Sequence, residues 1–260
     1  MSAATIHPTA IVDATAELAE DVVIGPYAIV GPSTVLGAGT SVGAHSMIDA
    51  HTTLGRENRV FQFASVGAEP QDLKFSGEAT TLTLGDRNTI REFCTLNRGT
   101  IKGGGATRVG NDNLFMAYSH VAHDCLVGNG VVMANGATLA GHVTVEDAAI
   151  VGGLVAVHQF VRIGAMAMLG GGAMVSLDVP PFCIAAGDRA KLHGLNLIGL
   201  RRRGLSEGAI KSLRTAYRLL FQGGLKLKDA LARIREEHAD VEEVMTMVHF
   251  IENSERGICR

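Results

Sequence analysis

Four of the ten histidines, His120, His123, His142 and His158, fall in one stretch of the chain beside small or polar residues. Asp124 follows His123, Gly141 precedes His142, and Gln159 follows His158. This set can do acyl-transfer chemistry. A neutral imidazole, with an ordinary pKa of about 6.5, can take the proton of a hydroxyl as it attacks a thioester. A neighbouring carboxylate can fix its tautomer. A glycine N–H, unobstructed by a side chain, can stabilise the oxyanion that forms. Two other readings compete. His120-x-x-His123 with His142 supplies three imidazoles, which would leave zinc an open position for water. Histidines can also satisfy polar groups in a subunit interface. That last role is the commoner one for a lone surface histidine. A cluster favours function, but residue types alone do not separate a base from a metal ligand.

The elements that must position these side chains show as a repeat of six. From Ile6 to Val66 every sixth residue is apolar, and the phase resumes at Leu84, Ile90 and Leu96. After a shift of one residue it runs from Val109 to Val175, giving 26 positions without a polar exception. Neither a helical nor a simple alternating period produces this pattern. Each hexad predicts one short strand and one corner, so three hexads make an 18-residue coil of a triangular prism. Coils stack about 4.8 Å apart through main-chain hydrogen bonds. The apolar residues point inward, and the small residue that often follows each is read as letting the backbone turn. Residues i and i+18 then become vertical neighbours. His123, Gly141 and Gln159 fall in one column and Asp124, His142 and Phe160 in the next. Together they predict one outward patch across three coils, flanked by His120 and His158.

Two polar, Gly-bearing segments, 67–83 and 97–108, interrupt the repeat and predict loops that leave the prism. Asp72 and Lys74 mark the first, where a lysine could reach a phosphate. Pro180-Pro181 stops the repeat, and its last turn ends near Arg189. Ile210, Leu213, Ala216, Tyr217 and Leu220 then take up helical spacing behind a potential N-cap at Ser206, with a stop at Gly223-Gly224. Further helices are predicted at Leu227–Glu237 and Val241–Asn253. The chain therefore reads as a mainly β prism over residues 1–190 and a small α-helical domain over 191–260. A net charge of -3 gives no pointer to nucleic acid. The sequence shows no secretory leader pattern and no apolar run of about 18 residues, so neither export nor stable membrane insertion is expected. Cys94, Cys125, Cys183 and Cys259 lack CxxC spacing and read as free thiols in a reducing cytoplasm.

The hexad pattern resembles the hexapeptide-repeat acyltransferase superfamily, whose members are left-handed parallel β-helices and usually trimers. More specific are HVAHDC (His120–Cys125), LAGHV (Leu139–Val143), AVHQF (Ala156–Phe160), QDLK (Gln71–Lys74), GLRRRG (Gly199–Gly204), IHPTAIV near the start and RGICR at the end. In their order along the chain they resemble the UDP-N-acetylglucosamine acyltransferases of lipid A biosynthesis, across essentially the whole chain. The resemblance implies a cytoplasmic homotrimer that moves an (R)-3-hydroxyacyl group from acyl carrier protein to the 3-position of UDP-N-acetylglucosamine. It implies no metal and no cofactor of the enzyme's own, since phosphopantetheine arrives on the carrier. By the same resemblance His123 is the general base, Asp124 its partner and Gly141 the oxyanion donor. His120, His142, His158 and Gln159 position substrate, Asp72 and Lys74 contact sugar and phosphate, and Asn196, Arg202 and Arg203 contact uridine diphosphate. Read from residues alone, the arginine run is equally a solvated basic face or a dock for an acidic carrier protein. Gly171 matches the position that closes the acyl groove, and glycine there implies a long chain, about fourteen carbons. Ile198 stands where some members have glutamate, and Asn97 where some have histidine. Some relatives acylate a 3-amino sugar, so the sequence leaves ester and amide formation open.

Overall fold

A two-residue strand carrying one inward apolar side chain can bury it only by stacking on the next coil. The structure, a computed structural model describing residues 3–260, is built on that demand. Among the described residues 28 strands, most of them two residues long, form three sheets of 11, 9 and 8 strands. Successive hexads visit a first, second and third face in turn. Thr5–Ile6 therefore pairs in parallel with Val23–Ile24, and Ile11–Val12 with Ile29–Val30. The result is a left-handed parallel β-helix. Every inward position from Ile24 to Val175 is buried, whereas Ile6 in the first coil stays 45% exposed at the end of the stack. Full burial of each Val, Leu or Ile is worth about 1.5–3 kcal/mol, so many thin layers replace one bulky core.

The corners differ from the sequence reading. The residue that turns is not the small one after each inward side chain but the one three positions after it. Tyr27, His45, Phe63, Phe93 and Tyr118 hold left-handed backbone along the edge between first and second faces. Asp124, His142 and Phe160 do so between second and third faces, with φ from 60° to 64°. The small residue instead lets coils approach. A Cβ on Gly37 would lie 2.4 Å from the carbonyl oxygen of Gly55. The first edge carries a ladder of stacked rings, Tyr27–His45–Phe63–Phe93–Tyr118, with centroids 4.9 to 5.3 Å apart.

Both interruptions leave from the second–third edge, but they are shorter than the sequence suggested. Strands Ser65–Ala68, Thr81–Leu84, Thr95–Asn97 and Ala106–Val109 run into them, leaving 69–80 and 98–105. Pairing persists because Ala68 still opposes Asn97, and Thr81 opposes Ala106, before the chain departs. Arg98 grips the root of the first loop, donating to Gly67 O at 3.2 Å and Glu69 Oε1 at 3.3 Å.

Beyond Pro180-Pro181, strand Cys183–Ala186 joins the first sheet and pairs antiparallel with Lys191–Leu195, so β structure continues past residue 190. Four helices follow: α1 (Leu197–Arg202), α2 (Glu207–Phe221), α3 (Leu227–His238) and α4 (Glu242–Glu252). Ser206 Oγ caps α2 by accepting from Ala209 N, and the periodic residues Ile210, Leu213, Ala216, Tyr217 and Leu220 are all buried. Helix α1, which overlaps the first four residues of GLRRRG, is too short to announce itself by a period. The chain end then returns to the prism, where Ile258 bridges Asp178. Among the described residues no helix is long and apolar enough to cross a membrane.

Candidate active site

Three successive coils place His123, Gly141 and Gln159 one above another on the second–third edge, with Asp124, His142 and Phe160 beside them. Main-chain bonds fix the stacking: His142 N donates to His123 O at 3.0 Å, and Phe160 N to Gly141 O at 3.2 Å. The His142 ring stacks on Phe160 at 4.4 Å and meets the His123 ring edge-on at 5.2 Å.

Asp124 departs from the outward placement read from the sequence. It is buried, because the 98–105 excursion folds over it. Its Oδ1 accepts from Thr100 N at 2.8 Å, and its Oδ2 accepts from Thr100 Oγ1 at 2.7 Å and from His123 Nδ1 at 2.8 Å. Its own N–H donates to Thr107 Oγ1 at 2.8 Å. An ionised carboxylate only accepts, so His123 carries its proton on Nδ1 and keeps a lone pair on Nε2. The ring lies over Gly141 so closely that a Cβ there would sit 2.5 Å from Cε1 and 2.7 Å from Nε2. Glycine alone fits beneath it. The Gly141 N–H donates to no group among the described residues.

Burial holds both neighbouring imidazoles below the ordinary histidine pKa. For His120 the nearby His123 adds to that effect. For His142 burial outweighs the opposing pull of Asp124 and Asp72. Both rings are therefore neutral at neutral pH. His120 Nδ1 lies 2.7 Å from Thr95 Oγ1. Cys125, within the same HVAHDC segment, points inward, and burial pushes its thiol up to about 12, so it is a packing group and no nucleophile.

The edge opens into a cavity of about 660 Å³ that His123, His142, Gln159 and Phe160 share with Asp72, Lys74, Thr100 and Lys102. Asp72 Oδ1 accepts from Lys74 N at 2.9 Å, closing the turn that carries both. Thr100, Thr107 and Lys102 were missed by the sequence reading, as they lie where the six-residue register is suspended.

The remaining candidates lie apart from this cavity. His158 adjoins Gln159 but meets Arg256. Gly171 is exposed on the first–second edge, where an added Cβ would meet only Gly153 O, at 3.4 Å. Asn196 is buried and caps α1, its Oδ1 accepting from Gly199 N at 3.1 Å while its Nδ2 donates to Met166 O at 3.0 Å. Arg203 donates to Gly130 O at 3.2 Å on the third–first edge, and Arg202 is exposed. The candidate residues thus occupy all three edges of the prism.

Residues 178–259 match the family model described as UDP N-acetylglucosamine O-acyltransferase, domain 2, and residues 106–141 match the bacterial transferase hexapeptide model. The acyl-[acyl-carrier-protein]–UDP-N-acetylglucosamine O-acyltransferase of Paraburkholderia phymatum is 54% identical over 259 residues, covering 98% of this chain and 99% of that protein. The enzyme of the same name from Myxococcus xanthus is 56% identical over 257 residues, covering 99% of this chain and 100% of its own. The solved structure of LpxA from Acinetobacter baumannii matches with a TM-score of 0.95 at 44% identity, covering 98% of this chain and 99% of that one. Matched from end to end at these identities, the chain is an acyltransferase and belongs to the acyl-[acyl-carrier-protein]–UDP-N-acetylglucosamine O-acyltransferase family.

Proposed function

We propose that the protein transfers an (R)-3-hydroxyacyl group from acyl carrier protein to the 3-hydroxyl of UDP-N-acetylglucosamine, in the cytoplasm, as the first step of lipid A biosynthesis. The observation that carries this reading is the His123–Asp124 pair seated over Gly141 in a cavity that also holds Lys74. The sugar oxygen attacks the thioester carbon while its proton passes to His123 Nε2. Asp124 stabilises the imidazolium through Nδ1–H. The carbonyl oxygen takes up the negative charge within reach of the Gly141 N–H. The intermediate then collapses: the C–S bond breaks, and the pantetheine sulfur leaves with the proton from Nε2.

Neutral His120 and His142, with His158 and Gln159, position the sugar and the pantetheine arm. Asp72 and Lys74 contact sugar and phosphate. Asn196, Arg202 and Arg203 serve the uridine diphosphate, since a guanidinium fork suits phosphate oxygens. Because these groups sit on three edges, one copy alone does not gather them. A threefold homotrimer that sets neighbouring edges face to face accounts for the separation. His123, Asp124 and His142 offer ligand atoms within 4.8 Å of one another. A cation there would compete with the three hydrogen bonds Asp124 already accepts, which favours a base over a zinc ligand and a reaction without metal.

The test is turnover in EDTA-containing buffer with UDP-N-acetylglucosamine, its 3-amino analogue and a series of hydroxyacyl carrier proteins. An ester at the sugar 3-position, formed fastest from chains of about fourteen carbons, is expected. No acylated sugar from any donor would overturn the reading. In the same assay Gly171→Met is expected to move preference to shorter chains, since the site has room for a side chain that would then fill the acyl path. Unchanged chain selectivity refutes that role for Gly171.

The 98–105 excursion gives a further expectation. Thr100→Val keeps the N–H bond to Asp124 and removes the hydroxyl bond, and kcat should fall about tenfold, the weight of one hydrogen bond to a charged group. Thr100→Ser should restore most of it. Equal kcat in Thr100→Val and the parent would show that Asp124 is held without the hydroxyl.

A further inference from the structure

His158 stands at the top of the histidine edge, and its ring faces a residue 98 positions later. His158 Nδ1 lies 2.8 Å from Arg256 Nη2 and 3.1 Å from Gln159 O. These two neighbours make opposite demands, for the carbonyl asks for a proton on Nδ1 and the guanidinium asks for a lone pair. A guanidinium has donors and no acceptor, and it stays protonated in proteins. Nδ1 must therefore accept, and the ring proton resides on Nε2. That is the reverse of His123, whose Nδ1 donates to Asp124.

Arg256 is itself held in place. Its Nε donates to Ser176 O at 2.7 Å, and Ser176 lies one coil above His158. The segment that carries it is clasped around buried Asp178. Ser254 Oγ donates to Asp178 Oδ2 at 2.7 Å, Asp178 N to Gly257 O at 2.9 Å, and Cys259 N to Asp178 O at 2.8 Å. Phe160, which lines the histidine cavity, also lines a second cavity of about 480 Å³ bounded by Asn253, Glu255 and Arg256. The chain end thus runs along the edge that carries the chemistry.

We infer that Arg256 is a positioning residue that fixes His158 as an Nε2–H donor toward a substrate oxygen, a carbonyl or phosphate. The inference rests on the reading of His158 as a substrate contact. The RGICR ending then has a task beyond closing the fold: it sets the tautomer of a residue in the site.

Nitrogen-15 NMR of histidine-labelled protein, combined with steady-state kinetics, tests this directly. In the parent, His158 should show the Nε2–H tautomer. Arg256→Met should yield a tautomer mixture and raise KM for a substrate on the order of tenfold, the size of one hydrogen bond, with kcat nearly unchanged. Arg256→Lys, which keeps a donor, should restore part of both. Ser254→Ala loosens the same clasp without touching His158, and it should leave the tautomer and KM as they are. An Nδ1–H tautomer in the parent overturns the assignment of Arg256 while leaving the proposed reaction intact. A changed tautomer in Arg256→Met with unchanged KM overturns the role of His158 in substrate binding. Equal KM effects from Ser254→Ala and Arg256→Met reduce Arg256 to a structural clasp.

Discussion

His123→Ala is expected to lower kcat about a thousandfold, within the range that a positioned general base supplies. His123 Nε2 is the one basic atom of the edge whose tautomer is set by a buried carboxylate, through the 2.8 Å contact with Asp124. Removing the ring leaves the Gly141 N–H, the cavity and its lysines in place, so residual turnover above the uncatalysed rate and a nearly unchanged KM should remain. Stability should change little, because His123 lies on a corner and not in an inward column, and the coil ladder runs through its main chain. Steady-state rates and a thermal melt on the same preparation check both halves. Near-parental kcat in His123→Ala would move the base to another group. His142 is the nearest alternative, with its ring centroid 5.2 Å away and its Nε2 3.8 Å from Asp124 Oδ2. That distance exceeds a hydrogen bond, and among the described residues no hydrogen bond to the ring fixes the His142 tautomer.

The two columns that unite His123 with Gly141 and Asp124 with His142 were legible in the sequence because nothing interrupts the six-residue count from Val109 to Val175. Counting by 18 succeeds only while every coil has 18 residues. Across the excursions Thr95 pairs with His120, 25 residues later, and Thr100 meets Asp124 after 24. No fixed ruler finds those partners. For the same reason the burial of Asp124 was invisible: an uninterrupted coil would have left it on an open corner. The corners misled differently. Glycines after inward residues looked like turning points, yet the left-handed residues other than glycine are mostly Tyr, Phe, His and Asp. At these sites stacking between coils outweighs the cost of about 1 kcal/mol or more for a side chain in that region. Asn196 and Arg203 could be named by resemblance, but their places, capping α1 and reaching Gly130, depend on a helix too short to show a period. The Arg256–His158 contact spans 98 residues and two kinds of structure, so only coordinates reveal it.

Gly141→Ala should lower kcat about a hundredfold, and its reason separates it from an ordinary core substitution. Gly141 does not hold the left-handed backbone that only glycine tolerates, so alanine is compatible with the chain itself. The conflict is with the His123 ring, 2.5 Å from where the new carbon would stand. The coils cannot separate to relieve it, because the bonds from His142 N to His123 O and from Phe160 N to Gly141 O lock their spacing. The ring must move instead, and moving means giving up Asp124, which is pinned by both donors of Thr100. A base that loses its tautomer and its aim loses rate, while the prism that supports it keeps nearly all its contacts. The double variant decides whether this is the cause. With His123 already alanine the added carbon meets no ring, so Gly141→Ala should cost little of the residual rate, and the two losses should be strongly non-additive. If Gly141→Ala costs the same factor in both backgrounds, the injury lies elsewhere, in the main-chain N–H that the proposed mechanism aims at the oxyanion. The cycle therefore divides the two tasks assigned to this residue, giving the base room and giving the intermediate a donor.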